Sequence, residues 1–101
     1  MRVGQGFDAH PLVAGRPLVL GGVEVPSERG LDGHSDGDVL THAVCDALLG
    51  ALGAGDLGRH YPSSRDDLAG VRSLRLLEEV AAKVADAGLA LGNLDATVVA
   101  E

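Results

Sequence analysis

The sequence predicts an α+β fold: a mixed sheet of the four-stranded type with helices packed on one face, in a single domain over residues 1–101. Three observations carry this expectation. They are a hairpin pattern about Gly21-Gly22, two stretches with helical spacing of apolar residues, and short β-type runs near either end.

In chain order, Arg2 to His10 suits a first strand running into a loop, with Val3 and then Gly6-Phe-Asp-Ala-His10. Pro17-Leu-Val-Leu-Gly-Gly-Val-Glu-Val-Pro26 is two short apolar runs about a glycine pair, bounded by prolines, and reads as a hairpin. Val39, Leu40, Ala43, Val44, Ala47, Leu48 and Leu52 then fall at i, i+3, i+4 intervals. Ser35 with Asp38 three places on gives this helix a capping-box-like start, and Gly53-Ala-Gly55 ends it. A polar loop is expected from Asp56 to about Gly70. Leu74, Leu77, Val80, Ala81, Val84 and Ala85 mark a second helix from Ser73, closed by Gly88, and Leu94 to Ala100 reads as a last strand.

Composition limits the function classes. With 46% hydrophobic and 23% charged residues the chain is expected to form one globular domain, but Phe7 and Tyr61 are its only aromatics and 15 glycines thin the core. Burial of further apolar surface between copies, a homo-oligomer, is the simplest remedy. A formal charge of −7 argues against nucleic acid or an acidic membrane as partner. A small anionic substrate would need a bound cation and backbone N–H groups to hold it. Cys45 is the single cysteine, and neither a signal-peptide pattern nor a long apolar segment is present, so a cytoplasmic protein is expected.

Asp8 and His10, two apart in an extended segment, place both side chains on one side, a spacing suited to a shared metal. His42 is the third candidate; it sits opposite the apolar stripe of the first helix, with Asp38 and Asp46 at i−4 and i+4. One Asp and two His with no fourth protein ligand match the catalytic zinc pattern, which keeps a position open. The same residues equally describe a turn and a solvated helix residue. His34 and Ser35 precede a helix start, where N–H groups and the macrodipole favour phosphate oxygens, although Ser35 also suits a plain cap. Asp56-Leu-Gly58 offers a carboxylate for sugar hydroxyls, or simply a turn. His60 reads as an exposed loop residue and Cys45 as small helix filler.

Taken together, Gly6-Phe-Asp-Ala-His10, Gly21-Gly22, His34-Ser-Asp-Gly-Asp38, His42-Ala, Asp46-Ala-Leu-Leu-Gly50, Gly55-Asp-Leu-Gly58 and Gly92-Asn-Leu-Asp95 resemble, in order and spacing, the 2-C-methyl-D-erythritol 2,4-cyclodiphosphate synthases of the non-mevalonate isoprenoid pathway. The resemblance implies that Asp8, His10 and His42 bind zinc and that Asp8 and His10 also meet the substrate. It further implies that His34 and Ser35 engage the substrate, with His34 stabilising the transition state. Asp56 and Gly58 would hold the cytidine ribose, and Ala100 would begin the segment around the cytosine. A second divalent ion, magnesium or manganese, and a homotrimer with sites between subunits are also implied.

Two departures stand out. The family's Phe-Pro-Asp-Thr-Asp is replaced by Tyr61-Pro-Ser-Ser-Arg65, so only Tyr61 and Pro62 carry over as substrate contacts. The family continues through a Pro-Lys segment to a Thr-Thr-x-Glu block, so the chain is expected to lack the carboxy-terminal part. Two alternatives accompany the synthase reading: another zinc-dependent phosphate-handling enzyme using a metal-activated water, and a zinc-bound oligomeric nucleotide-binding module without turnover.

Overall fold

A computed structural model describes all residues except His34, Ser63, Arg65, Asp66, Leu68, Ala100 and Glu101. Its regular elements are β1 (Leu12–Ala14), β2 (Leu18–Leu20), β3 (Val23–Val25), β4 (Arg29–Leu31), α1 (Val39–Ala51), α2 (Leu57–His60) and α3 (Ser73–Asp86). The α+β class holds, with the strands paired as two separate antiparallel ladders, β1 with β4 and β2 with β3. One continuous mixed sheet is not formed among the described residues.

The hairpin lies where the glycine pair places it. Leu18 pairs with Val25 and Leu20 with Val23, leaving Gly21 and Gly22 as the two-residue turn. Both have positive φ, +60° and +81°, the backbone demanded by a type I′ turn and strained for any residue with a Cβ. The turn does not project into solvent. Its two amides donate to the Asp38 carboxylate, Gly21 N at 2.9 Å and Gly22 N at 2.7 Å, which fastens the hairpin to the start of α1.

Asp38, and not Ser35, is the N-cap of α1. Its carboxylate also accepts from the Thr41 amide at 3.0 Å and the Thr41 hydroxyl at 2.9 Å. A fully buried carboxylate with four donors is thus both helix cap and hairpin anchor. At the other end Gly53, with φ +68°, takes the left-handed position that follows the helix.

Helices α1 and α3 pack together over Cys45, Leu49 and Val80, each fully buried, with Leu48, Leu57, Tyr61 and Leu77 around them. Complete burial of each large aliphatic stabilises by roughly 1.5–3 kcal/mol, and the expected filler role of Cys45 is met. Burial, and then the carboxylates of Asp46 and Asp38, push the Cys45 thiol up to about 12. The loop expected from Asp56 onward contains the single turn α2, capped by Asp56 through the Arg59 amide at 2.9 Å. His60 at its end is part-buried, not an exposed loop residue, and its Nε2 donates to the Ala54 carbonyl at 2.8 Å.

The terminal segments depart most from expectation. Residues 2–10 form no ladder; Gly4 and Gly6 instead press onto α1, where a Cβ on Gly4 would collide with the Ala47 carbonyl and one on Gly6 with the Ala43 carbonyl. Extended alternation persists nevertheless. Gly4 and Gly6 abut the helix, while Val3 and Phe7 are 85% and 82% exposed. Residues 94–99 are likewise without a strand partner among the described residues, with Val99 85% exposed. A strand exists only where a second backbone receives its hydrogen bonds, and among the described residues neither segment has a ladder partner.

Candidate metal centre

The close approach of Gly4 and Gly6 to α1 carries the next even-numbered residues, Asp8 and His10, past the helix start. Asp8 Oδ2 lies 3.1 Å from His42 Nδ1 and 3.1 Å from His10 Nδ1. One ligand atom from each of Asp8, His10 and His42 can be chosen so that all lie within 4.8 Å of one another. The two imidazoles tilt at 48° with ring centroids 5.3 Å apart, converging without stacking face to face. On its other side the His10 ring edge rests on Gly33, where a Cβ would sit 2.7 Å from Cδ2.

His42 is not the solvated helix residue its position suggests. It is 9% exposed, and the hydrogen-bond contacts of its ring go neither to Asp38 nor to Asp46 but at Nδ1 to Asp8 and at Nε2 to two serine hydroxyls, Ser73 at 2.6 Å and Ser35 at 3.0 Å. Asp38 is occupied at the cap, and Asp46 accepts from the Leu57 amide at 2.7 Å, tying α1 to the Asp56–Gly58 turn. Burial, opposed by that amide and assisted by the charges of Asp56 and Asp8, raises the Asp46 carboxyl above its ordinary value.

The donor set itself tests whether a cation fits. His10 Nδ1 is buried and, despite its distance from Asp8, out of alignment for a hydrogen bond, so it has no partner among the described residues. A buried imidazole nitrogen left unpaired costs of order 1–3 kcal/mol. One carboxylate and two imidazoles drawn together, one of the rings carrying this orphan nitrogen, are a donor set that suits a divalent ion.

The structure brings Asp8, His10, Ser35 and His42 together. Arg16 steadies the loop leading to Ser35, donating to Asp32 Oδ1 at 3.1 Å, the Gly33 carbonyl at 3.0 Å and the Ser35 carbonyl at 3.2 Å. The helix-start anion site is partly filled from within, since the Asp38 carboxylate takes the Thr41 amide. Asp56 and Gly58 stand apart on α2, both exposed. Tyr61 follows α2, its hydroxyl donating to Glu79 Oε2 at 2.5 Å, and Pro62 is half-buried beside it. His34 and Ala100 lie outside the described residues.

Sequence reasoning missed Ser73 and Asp36. Ser73 is fully buried, and its hydroxyl and amide donate to Asp36 Oδ1 at 2.5 Å and Oδ2 at 2.9 Å. The only sequence signal was the position of Ser73 at a helix start, which suits a cap as readily.

A broad trough of about 1260 Å³ lies between α1 and the two terminal segments, with Leu40, Val44, Leu48 and Leu94 in its lining beside Asp8 and His10. Its walls are chiefly apolar, so the polar chemistry belongs to the cluster and not to the trough. No described helix is long and apolar enough to cross a membrane.

Comparison with known proteins agrees with the cluster. At 60% identity over 101 residues, the whole chain matches 2-C-methyl-D-erythritol 2,4-cyclodiphosphate synthase of Desulfatibacillum aliphaticivorans. It matches the bifunctional enzyme IspD/IspF of Desulfotalea psychrophila at 56% over the same span. The chain spans 65% of the length of the first relative and 26% of the second. A solved structure of 2C-methyl-D-erythritol-2,4-cyclodiphosphate synthase in a CDP-bound form superposes with a TM-score of 0.79 at 45% identity, covering 86% of this chain and 58% of that one. The YgbB family matches residues 1–101 from end to end, and with its Asp8, His10 and His42 drawn into one cluster the chain belongs to that family.

Proposed function

We propose that this chain carries the zinc site of a 2-C-methyl-D-erythritol 2,4-cyclodiphosphate synthase. The protein would convert 4-diphosphocytidyl-2-C-methyl-D-erythritol 2-phosphate to the cyclic diphosphate and CMP for isoprenoid precursors. The observation that carries the reading is the convergence of Asp8, His10 and His42 beside an unpartnered buried His10 Nδ1. Relatives named for this activity, at up to 60% identity among those compared, support it.

The reaction is intramolecular. An oxygen of the 2-phosphate bonds to the β-phosphorus as the bond to the α–β bridging oxygen breaks, and CMP leaves with that oxygen and its electron pair. No protein nucleophile is required, so the protein's work is alignment and neutralisation of charge on the phosphoryl oxygens. Asp8, His10 and His42 would hold zinc, which supplies positive charge to those oxygens, and magnesium or manganese would accompany the diphosphate.

Ser35 would donate its hydroxyl to a phosphoryl oxygen; its contact with His42, at 9% exposure, supports this by setting it next to the cluster. His34, its chain neighbour, would add a donor that strengthens as charge builds in the transition state. Asp56 and Gly58 would hold the ribose, Tyr61 and Pro62 would line the same side, and Ala100 would begin the cytosine contact. The Asp46–Leu57 hydrogen bond supports this division, because it couples the helix bearing His42 to the turn bearing Asp56.

A homotrimer is the proposed assembly in the cytoplasm, with the small cytidine diphosphate derivative as partner. Support comes from apolar side chains left in water, Phe7 at 82% and Leu91 at 59% exposure among them, which an interface between copies would cover.

Phosphorus NMR of the purified protein with substrate, zinc and magnesium tests the proposal. A cyclic-diphosphate signal growing with CMP is expected. Release of inorganic phosphate would identify a hydrolase instead, and zinc-dependent shifts of the substrate signals without turnover would identify a binding module.

A further inference from the structure

We propose that Asp36 and Ser73 form a positioning relay that fixes the tautomer of His42 and so turns its Nδ1 lone pair toward the ligand cluster. This rests on the metal-site reading above and goes beyond it by assigning two residues outside the ligand set.

The number of protons available decides the tautomer. Asp36 accepts three hydrogen bonds, from the Ser73 hydroxyl at 2.5 Å, the Ser73 amide at 2.9 Å and the Asp38 amide at 3.0 Å. A carboxylate so supplied is an acceptor only, so the single Ser73 hydroxyl proton is committed to Asp36. Ser73 Oγ therefore faces His42 Nε2, 2.6 Å away, with a lone pair, and the ring must be the donor. With no substrate bound, the Ser35 hydroxyl, 3.3 Å from Ser73 Oγ, is free to supply its second accepted bond. Ser73 Oγ then gives one hydrogen bond and accepts two, which exhausts its capacity.

With Nε2 protonated, the neutral ring carries its lone pair on Nδ1, and that atom faces Asp8 Oδ2 at 3.1 Å. Two acceptors opposed at this distance repel, a cost that a cation between them turns into a gain. The relay thus sets the ligand atom on the one side of the ring where Asp8 and His10 converge. It reaches His42 from a different element, the first residue of α3, so the α1–α3 packing also governs the ring's orientation.

The burial of Asp36 alone would raise its carboxyl, but the bonds from Ser73 and Asp38 outweigh this and hold it below its ordinary value. The carboxylate state that the relay needs is therefore the stable one.

The test begins with metal-free wild-type protein and ring ¹⁵N NMR of His42 at alkaline pH. Expected is a protonated Nε2 and an unprotonated Nδ1; the opposite tautomer would overturn the relay and needs no variant to detect. Zinc affinity by chelator competition is then compared for the wild type, Ser73→Ala and Asp36→Asn, each checked for helix content by circular dichroism. Folded Ser73→Ala is expected to bind zinc about 10–100-fold more weakly and to gain Nδ1–H signal, with Asp36→Asn shifted in the same direction. Unchanged zinc affinity and tautomer in a folded variant would overturn the proposal. Wild type that shows the expected tautomer yet binds no zinc would instead refute the metal-site reading while leaving the tautomer assignment standing.

Discussion

The junction around Asp38, His42 and Ser73 and the two terminal segments are built on opposite principles. The junction is buried and polar, with every carboxylate oxygen of Asp36 and Asp38 accepting from a named donor. The termini are apolar and open, with Val3, Phe7 and Val99 more than four-fifths exposed. A hydrogen-bond network that closes on itself is complete within one chain, whereas an uncovered apolar face gains from any surface laid against it. The hydrogen bonds that hold His42 are therefore set within one chain, whereas the terminal segments leave apolar side chains uncovered.

Breaking the junction should cost most. Asp38→Ala removes the α1 cap and leaves the Gly21 and Gly22 amides and Thr41 without their acceptor, all at a fully buried site. A loss of about 3–5 kcal/mol is expected from urea unfolding; a change below ~1 kcal/mol would show that the hairpin is not anchored there. His42→Ala follows, with zinc lost and about 1–3 kcal/mol of stability lost with it, since the ring is buried and bonded to both serines. Full stability in that variant would return His42 to the solvated face.

Phe7→Ser tests the other side of the contrast. Folding stability of a single chain should move by no more than ~0.5 kcal/mol, while self-association measured by sedimentation should weaken; association unchanged would place the interface elsewhere. The smallest effect is a pH dependence. Because the folded Asp36 carboxyl lies below its ordinary value, it contributes stability that is present above about pH 4 and is lost as the pH falls through the folded value. Asp36→Asn should flatten the acid limb of the stability profile, and an unaltered limb would assign that slope to other carboxylates.

What the sequence disclosed followed the range of the interactions. Local signals gave the elements: the Gly21-Gly22 turn, the helix over Val39–Ala51 and the second helix from Ser73 all depend on neighbours a few residues away, although α1 buries Thr41, His42, Cys45 and Leu49 and turns the apolar stripe to the trough. The Asp8/His10 pairing was legible because extended backbone alternates, ladder or no ladder. Non-local facts were not legible. Apolar spacing put His42 on the outer face because it cannot register that the 2–10 segment and the start of α3 close over that face. Ser73 gave no sign of function, since its partners are 31 and 37 residues away. The expected end strands fail for the same reason, because pairing requires a second backbone that no local pattern can specify.

The central claim is that Asp8, His10 and His42 form one metal site, and X-ray absorption at the zinc edge of the zinc-loaded protein tests it most directly. Imidazole scattering with nitrogen and oxygen at about 2.0–2.2 Å and no sulfur at about 2.3 Å is the result expected of this ligand set, given that Cys45 is buried in the core. A sulfur shell, or a zinc environment without imidazole, would contradict the account.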